Sequence, residues 1–182
     1  MEEILDVVDE KGVPTGQQLS KATIHQQGLF HQTVHIWFYT NNGELLLQQR
    51  GATKKTFPLL WDVSVAGHIA AGEAIETAAL REIHEEIGLA VNTGDLYKIG
   101  IFKTENEHHK NLIDREFHHT FICELQVSIS SLQKEAEEVA DLKLITIPEF
   151  KKDLMNNPQA YVPASKGHYE VVFQAVYHRL EH

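Results

Sequence analysis

Hydrophobic and polar positions fall into short runs along the chain, and turn-forming residues separate these runs. Thr33–Tyr39 is rich in β-branched and aromatic residues, and Asn41-Asn42-Gly43 marks a turn into a second strand, Glu44–Gln49. Ile4–Asp9 reads as an edge strand that ends at a turn, Gly12-Val13-Pro14. Four further strands are predicted at Trp61–Ala66, Leu96–Lys103, Arg115–Val127 and Leu142–Thr146.

Three segments have the apolar spacing of helices. The first lies between Gly67 and Leu89, where Gly88 is placed to end the helix and an apolar stripe is formed by Ile75, Ala78, Ala79 and Ile83. Pro148 opens a second helix over Glu149–Met155. The third begins near Ser165 and has an inner face of Tyr169, Val172, Phe173 and Val176. Strands and helices in this order predict an α/β fold, in which a mixed sheet has helices on both sides.

Length and composition indicate one globular domain, residues 1–179, since the 182 residues are 42% apolar and contain no repeat or linker. The last three residues, Leu180-Glu181-His182, resemble the beginning of an expression tag. With no apolar run of about 18 residues and no secretion signal, we expect no membrane partner and a cytoplasmic location. The single cysteine, Cys123, lies in an apolar run and is expected to be buried rather than nucleophilic.

The formal net charge of −10 argues against non-specific binding to a nucleic-acid polymer. An acidic protein that acts on an acidic substrate needs local positive charge, from a metal ion or from a few basic residues. The sequence does not indicate an oligomeric state.

Three glutamates, Glu82, Glu85 and Glu86, have the i, i+3, i+4 spacing that places side chains on one face of a helix. Like charges at this spacing destabilise an isolated helix, and a divalent cation would offset that repulsion. Carboxylate oxygens favour Mg²⁺ or Mn²⁺. The alternative is a solvated acidic face on a surface helix.

The flanking residues favour the metal site. Gly67, Glu73 and the run Arg81-Glu82-Ile83-His84-Glu85-Glu86-Ile87-Gly88-Leu89 resemble the box of the Nudix (MutT-like) hydrolases. This resemblance implies an α/β/α sandwich with a mixed sheet, and hydrolysis of a diphosphate linkage in a nucleoside diphosphate derivative or a related small molecule. It also implies that Glu82, Glu85 and Glu86 bind Mg²⁺ or Mn²⁺, while Glu73 at the helix start and Arg81, paired with Glu85, hold the box together.

Metal-assisted hydrolysis requires a carboxylate that takes a proton from the attacking water, while the cation polarises the diphosphate and acidifies that water. Glu85 and Glu86 are the nearest candidates for this general base. Some family members use a glutamate from a downstream loop, which here would be Glu135-Ala136-Glu137-Glu138. The other interpretation of this loop is a plain acidic surface.

A second resemblance covers roughly the first half of the chain. The segment Gly43–Glu73, with Phe57-Pro58, Trp61 and Gly67-His68, is similar to the Nudix branch that contains isopentenyl-diphosphate isomerase. Ala66 stands where the isomerase has its catalytic cysteine, which favours hydrolysis. Two alternatives stay open: an isomerase-like enzyme, or a non-catalytic nucleotide-sensing module.

The same branch builds a metal site from counterparts of His25, His31, His68 and Glu116, with which Asp114 could act. His and carboxylate ligands suit Zn²⁺ or Mn²⁺. His25 and His31 are six positions apart, one fewer than in the isomerase pattern, so the favoured interpretation is that these histidines lie at the surface or only form hydrogen bonds.

A basic segment after the second strand offers candidates for substrate binding, namely Arg50, Lys54 and Lys55. A solvated basic loop is the alternative. Aromatic residues could stack on a base, but we expect Trp37, Phe38 and Phe57 to be core residues. The substrate class stays open among nucleotide sugars, dinucleoside polyphosphates, oxidised nucleotides, coenzyme A and prenyl diphosphates.

Overall fold

A computed structural model describes residues 2–109 and 112–181 of the chain. Its strands are β1 Ile4–Val8, β2 Pro14–Ser20, β3 Phe30–Tyr39, β4 Glu44–Arg50, β5 Trp61–Asp62, β6 Val65–His68, β7 Tyr97–His109, β8 Leu112–Glu124 and β9 Val139–Thr146. Its helices are α1 Lys21–Gln27, α2 Ile75–Ile87, α3 Ile147–Asn156 and α4 His168–Leu180.

Strand β3 is the centre of the sheet. It is parallel to β8 over ten residues, from Phe30 opposite Arg115 to Tyr39 opposite Glu124, and antiparallel to β6. Strand β8 pairs with β7, and β4 pairs with β5 and β9. A turn at Asn41–Gly43 joins β3 to β4, as predicted. The predicted mixed sheet is therefore confirmed.

Alternation along β3 builds a core on each face of the sheet. Val34, Ile36 and Phe38 pack with α2 on one face. Trp37 and Tyr39 pack with α3 and α4 on the other. Helices thus cover both faces, which confirms the α/β/α sandwich, and the prediction that Trp37 and Phe38 are core residues is also confirmed.

Two strand predictions are wrong. Ile4–Asp9 is not an edge strand, because the chain turns after it and pairs back as β2, which forms the edge. Trp61–Ala66 is not continuous, because β5 pairs with β4 whereas β6 pairs with β3. Between them, the Ser64 hydroxyl donates to the Leu46 carbonyl and accepts from the Phe38 N–H, so a side chain replaces ladder hydrogen bonds at the crossing.

Helix α1 was not predicted. The signals for it are local: the Ser20 hydroxyl accepts a hydrogen bond from the Thr23 N–H at the first turn, and Gly28 ends the helix with φ 62°. The helix is short and has one buried residue, Ile24, so its apolar periodicity is weak.

Within the described part of the chain, no helix has the length and apolar character needed to cross a membrane. Cys123 is buried, as predicted, and burial raises the pKa of its thiol to about 12. The interpretation of the last three residues as a tag remnant stays a prediction. Leu180 is the last residue of α4, and His182 lies outside the described residues.

Candidate active site

Helix α2 carries the glutamate cluster. Gly88 ends it in the left-handed conformation with φ 67°, as predicted, and Ala74 is its N-cap. Glu73 therefore lies at the start of the helix, one residue before the N-cap. Glu82 and Glu86 are buried, whereas Glu85 is exposed, so the three carboxylates share one side of the helix but not one environment.

Arg81 links the loop before α2 to the glutamates. Its guanidinium donates to Glu73 at 3.0 Å, to Glu82 at 2.7 Å and to Glu85 at 3.0 Å. It also donates to the backbone carbonyl of His68 at 2.9 Å. The predicted pair with Glu85 is confirmed, and the hydrogen bonds that Arg81 donates to Glu73 and Glu82 raise its pKa. One planar side chain thereby fixes the loop, the helix and the end of β6.

Gly67 lies directly against Glu82. A Cβ at position 67 would lie 1.9 Å from Cδ of Glu82, a distance that no side chain can accept. Glycine is therefore favoured here by close approach, since a Cβ would displace the Glu82 carboxylate.

The Glu86 carboxylate is held from two sides. Its Oε2 accepts a hydrogen bond from Gln48 Nε2 at 2.9 Å and another from the Ala66 N–H at 3.3 Å. Burial and the nearby charge of Glu82 raise the pKa of Glu86 to about 8, and burial also raises the pKa of Glu82. Two buried carboxylates that resist ionisation would be stabilised by a divalent cation, so their chemistry fits Mg²⁺ or Mn²⁺.

A cavity of about 1220 Å³ opens beside these carboxylates. Arg50, Lys54 and Lys55 line it, which brings the predicted basic residues to the glutamate cluster. Arg50 is already engaged, because it donates to Asp62 at 3.1 Å and to the Thr56 carbonyl at 3.2 Å. Phe57 is a wall residue rather than part of the core, and its ring contacts His108 at a centroid distance of 4.8 Å.

The loop Glu135–Glu138 also lines the cavity, so it is more than a distant acidic surface. Its three glutamates differ. The Glu135 carboxylate accepts hydrogen bonds from the N–H groups of Glu137 and Glu138, and the Glu138 carboxylate pairs with Lys54. Within the described residues, the carboxylate of Glu137 has no such partner.

His25, His31, His68 and Glu116 come together at another wall of the cavity, with one potential ligand atom from each within 4.8 Å of the others. His31 Nε2 lies 3.2 Å from Glu116 Oε1, and His68 Nε2 lies 3.6 Å from the same oxygen. The register of β3 and β8 produces this, since His31 is directly opposite Glu116. His31 is fully buried, so a surface position is excluded for it, while its contacts with His25 and Glu116 agree with hydrogen-bonding histidines and the metal stays a prediction.

The donor set of this cluster suits a metal. Burial lowers the pKa of His25 to about 4 and lowers that of His68, so both imidazoles are neutral at pH 7. Burial opposes ionisation of Glu116, but the hydrogen bond from His31 and the nearby rings of His68 and His118 hold its pKa well below the usual range. Neutral imidazoles beside a carboxylate are the ligands that Zn²⁺ and Mn²⁺ prefer. Asp114 lies 3.7 Å from His25 Nε2 and 2.8 Å from His108 Nε2.

Sequence reasoning missed a second histidine group, made by His35, His118 and His168. The rings of His35 and His118 stack with centroids 4.0 Å apart, and His168 accepts a hydrogen bond from the Trp37 indole at 3.2 Å. The alternation of side chains along β3 could have indicated part of this group, because positions 31, 33, 35 and 37 of the strand face the same side of the sheet. The partner strand and the final helix were needed to complete the group.

Comparison with known proteins agrees with this architecture. The sequence model of the NUDIX domain family matches residues 29–165 of this chain. An uncharacterised Nudix hydrolase of Clostridium acetobutylicum is 34% identical, over 96% of this chain and 97% of that protein. Isopentenyl-diphosphate Delta-isomerase 2 of Photorhabdus laumondii is 37% identical, over 88% of this chain and 87% of its own. The crystal structure of DR0079 from Deinococcus radiodurans shares the fold, with a TM-score of 0.66 at 18% identity over 96% of this chain and 99% of that one.

Proposed function

This chain belongs to the Nudix hydrolase family, and on that premise we propose that it is a metal-dependent hydrolase that cleaves the diphosphate linkage of a nucleoside diphosphate derivative or related small molecule. The observation that carries the proposal is the pair of buried carboxylates, Glu82 and Glu86, in the wall of a large cavity that basic residues also line. Buried acids beside basic residues suit a cation and a phosphate together.

We assign metal binding to Glu82, Glu85 and Glu86. A bound Mg²⁺ or Mn²⁺ would polarise the diphosphate and acidify water. Arg81 holds Glu82 and Glu85 in place from the side, and the Ala66 N–H and Gln48 hold Glu86. The carboxylates are therefore oriented before a ligand arrives, which reduces the cost of binding it.

Arg50, Lys54 and Lys55 are proposed to bind the phosphates. Lys54 is paired with Glu138, and that contact must open or share its charge when a diphosphate arrives. The guanidinium of Arg50 is hydrogen-bonded to Asp62 and Thr56, so it is oriented before a phosphate binds. The backbone between these residues and β5 contains two non-glycine residues with positive φ, Phe57 and Leu59, which is typical of a binding loop.

The proton of the attacking water is proposed to pass to Glu85 or Glu86. Glu86 already accepts two hydrogen bonds and is buried, which suits a ligand. Glu85 is exposed, and among the described residues only Arg81 holds it, so it is the freer of the two to move towards water. The Glu135 carboxylate is used within its own loop, which leaves Glu137 and Glu138 as the downstream alternatives.

A second metal ion is proposed at His25, His31, His68 and Glu116. The supporting observation, besides their proximity, is that His68 Nε2 is buried without a hydrogen-bond partner in the described part of the chain. A buried polar atom of this kind is costly unless something binds it. This centre would add positive charge to the same cavity.

An isomerase-like activity is the alternative from another class. The identity to the Photorhabdus laumondii isomerase supports it. Ala66 argues against it, because its methyl group cannot donate or accept the proton that isomerisation moves at a substrate carbon. A nucleotide-sensing module without catalysis is the remaining alternative, and the complete glutamate cluster argues against it.

The test is a panel of diphosphate compounds incubated with Mg²⁺, with Mn²⁺ and with chelator, while phosphate and nucleotide release are measured. Isopentenyl diphosphate in the same panel, followed for conversion to its isomer, tests the alternative. We expect metal-dependent release that is lost with chelator. Isomer formation without release would replace the proposal, and binding without any turnover would favour the sensing module.

A further inference from the structure

His35, His118 and His168, with Trp37 and Thr104, form one wall of the cavity, which we call the histidine wall. His35 is opposite Ala66 in the pairing of β3 with β6, and the Ala66 N–H contacts Glu86. The wall is thus one strand pair away from the glutamate cluster. A molecule whose diphosphate lies at the glutamates would bring its attached group close to this wall.

Two of the three imidazoles have free hydrogen-bonding atoms. The structure gives the ring nitrogens of His35 no hydrogen-bond partner among the described residues, and Nδ1 of His168 also has none. His35 is only half-buried, and the rings of His35 and His168 both line the cavity, so a molecule in the cavity can reach them. By contrast, both nitrogens of His118 are used, at 2.7 Å from Thr33 Oγ1 and 2.7 Å from Thr104 Oγ1.

The wall is polar but uncharged. His168 Nε2 accepts the hydrogen bond from the Trp37 indole, so the ring carries its proton on Nδ1 and presents a donor there. Burial lowers the pKa of His168 to about 4, and burial lowers that of His35 well below its usual value. A wall of neutral imidazoles offers donors and acceptors without attracting a second phosphate.

We propose that the histidine wall binds the organic group attached to the diphosphate, and that this group is uncharged and hydroxylated, as a sugar or nucleoside is, rather than a hydrocarbon chain. This inference rests on the proposed function and extends it to the substrate class. Hydroxyl groups would satisfy the free atoms of His35 and His168. A prenyl chain would cover them and leave them unpaired, which is the situation that sites built from polar groups reject most strongly.

His35 is the residue that tests this, because replacing it removes no hydrogen bond within the described part of the protein. His35→Leu keeps a side chain of similar bulk and loses both ring nitrogens. The matched control is His119→Leu, since His119 is a buried histidine of β8 that does not line the cavity. Circular dichroism and thermal melting of both variants check that they fold.

The measurement is kcat/KM of the metal-loaded enzyme for ADP-ribose, UDP-glucose and isopentenyl diphosphate. We expect the parent protein to favour one of the two sugar-containing compounds at least tenfold over isopentenyl diphosphate. His35→Leu should lower kcat/KM for that compound about tenfold, mainly through KM, because one hydrogen bond is lost. It should leave the value for isopentenyl diphosphate unchanged or higher, and His119→Leu should match the parent.

A parent enzyme that prefers isopentenyl diphosphate, or a His35→Leu variant that changes no substrate, overturns the inference while the proposed hydrolysis stands. If no compound of the full diphosphate panel is hydrolysed with either metal, the proposed function fails. Calorimetric titration with ADP-ribose, UDP-glucose and isopentenyl diphosphate then decides the inference alone. Binding of a sugar-containing compound that weakens about tenfold in His35→Leu supports it, and equal or absent binding overturns it.

Discussion

The backbone N–H of Ala66 donates a hydrogen bond to Oε2 of Glu86, across 3.3 Å. Because the donor is a backbone group, no side chain at position 66 is needed for this contact. It fixes the most buried carboxylate of the cluster to β6, which pairs with β3. Ala66 therefore links the glutamate cluster, which we propose binds the cation, to His35 of the histidine wall, which lies opposite it on β3.

Glu86→Gln should remove most metal-dependent hydrolysis while the fold is kept. Glutamine has nearly the same shape but carries no charge to offset a cation, so we expect activity to fall at least a hundredfold and metal affinity to fall with it. Glu85→Gln separates the two roles of Glu85: a loss of kcat that saturating metal restores indicates a ligand, and a loss that saturating metal does not restore indicates the general base. Near-parental turnover of Glu86→Gln would contradict the metal assignment.

Gly67→Ala should disable the site through Glu82. The added methyl group would lie 1.9 Å from the Glu82 carboxyl carbon, so that side chain has to leave its position. We expect a loss of activity of at least tenfold and a lower melting temperature. Gly94→Ala is the control, because a Cβ there meets nothing within 4 Å. Equal activity of the two variants would show that the position of Glu82 is not critical.

Arg81→Lys should cost both stability and activity. Lysine keeps the charge but cannot reach Glu73, Glu82, Glu85 and the His68 carbonyl at once. We expect about 1–2 kcal/mol less stability to chemical denaturation and roughly tenfold lower activity at limiting Mg²⁺. The control is Arg179→Lys on α4, because Arg179 does not line the cavity and its replacement should keep the activity of the parent. An unchanged activity would assign Arg81 no role in orienting the glutamates.

Acid should destabilise the protein partly through His168. Its folded pKa of about 4 lies below the ordinary value of 6.5, so the unfolded chain binds more protons between these values. This contribution to stability is present above pH 6.5 and is lost as pH falls towards 4, and it amounts to roughly 3 kcal/mol. His168→Gln keeps an acceptor for Trp37 and does not titrate. The stability of His168→Gln, measured by denaturant titration, should fall less steeply with decreasing pH than the stability of the parent. Equal slopes would refute the contribution of His168.

Two metal ions should bind each chain. Calorimetric titration with Mn²⁺ is expected to give two sites in the parent protein, and one in either Glu86→Gln or His31→Gln. His31 is fully buried and belongs only to the histidine cluster, so its loss should leave the glutamate site in place. Zn²⁺ should be retained by Glu86→Gln and lost by His31→Gln. A stoichiometry of one Mn²⁺ ion per parent chain would contradict the proposal of a second metal site.

The sequence by itself determined the helix of the glutamate cluster and its ending at Gly88, because apolar spacing, a C-terminal glycine and three carboxylates all lie within 23 consecutive residues, 67–89. It also determined the family and the mixed sheet. The pairing of Arg81 with Glu85 followed from helical geometry, since residues four apart are neighbours on a helix. Local interactions of this kind depend only on spacing along the chain.

Only the tertiary structure decided how the strands meet. His31 and Glu116 are 85 positions apart (116 − 31), and the parallel register of β3 with β8 makes them neighbours. The same register places His118 beside Thr33, and α4 brings His168 to Trp37. Register is set by the burial of both faces of β3 against two separate cores, a long-range balance of packing that spacing along one strand does not encode.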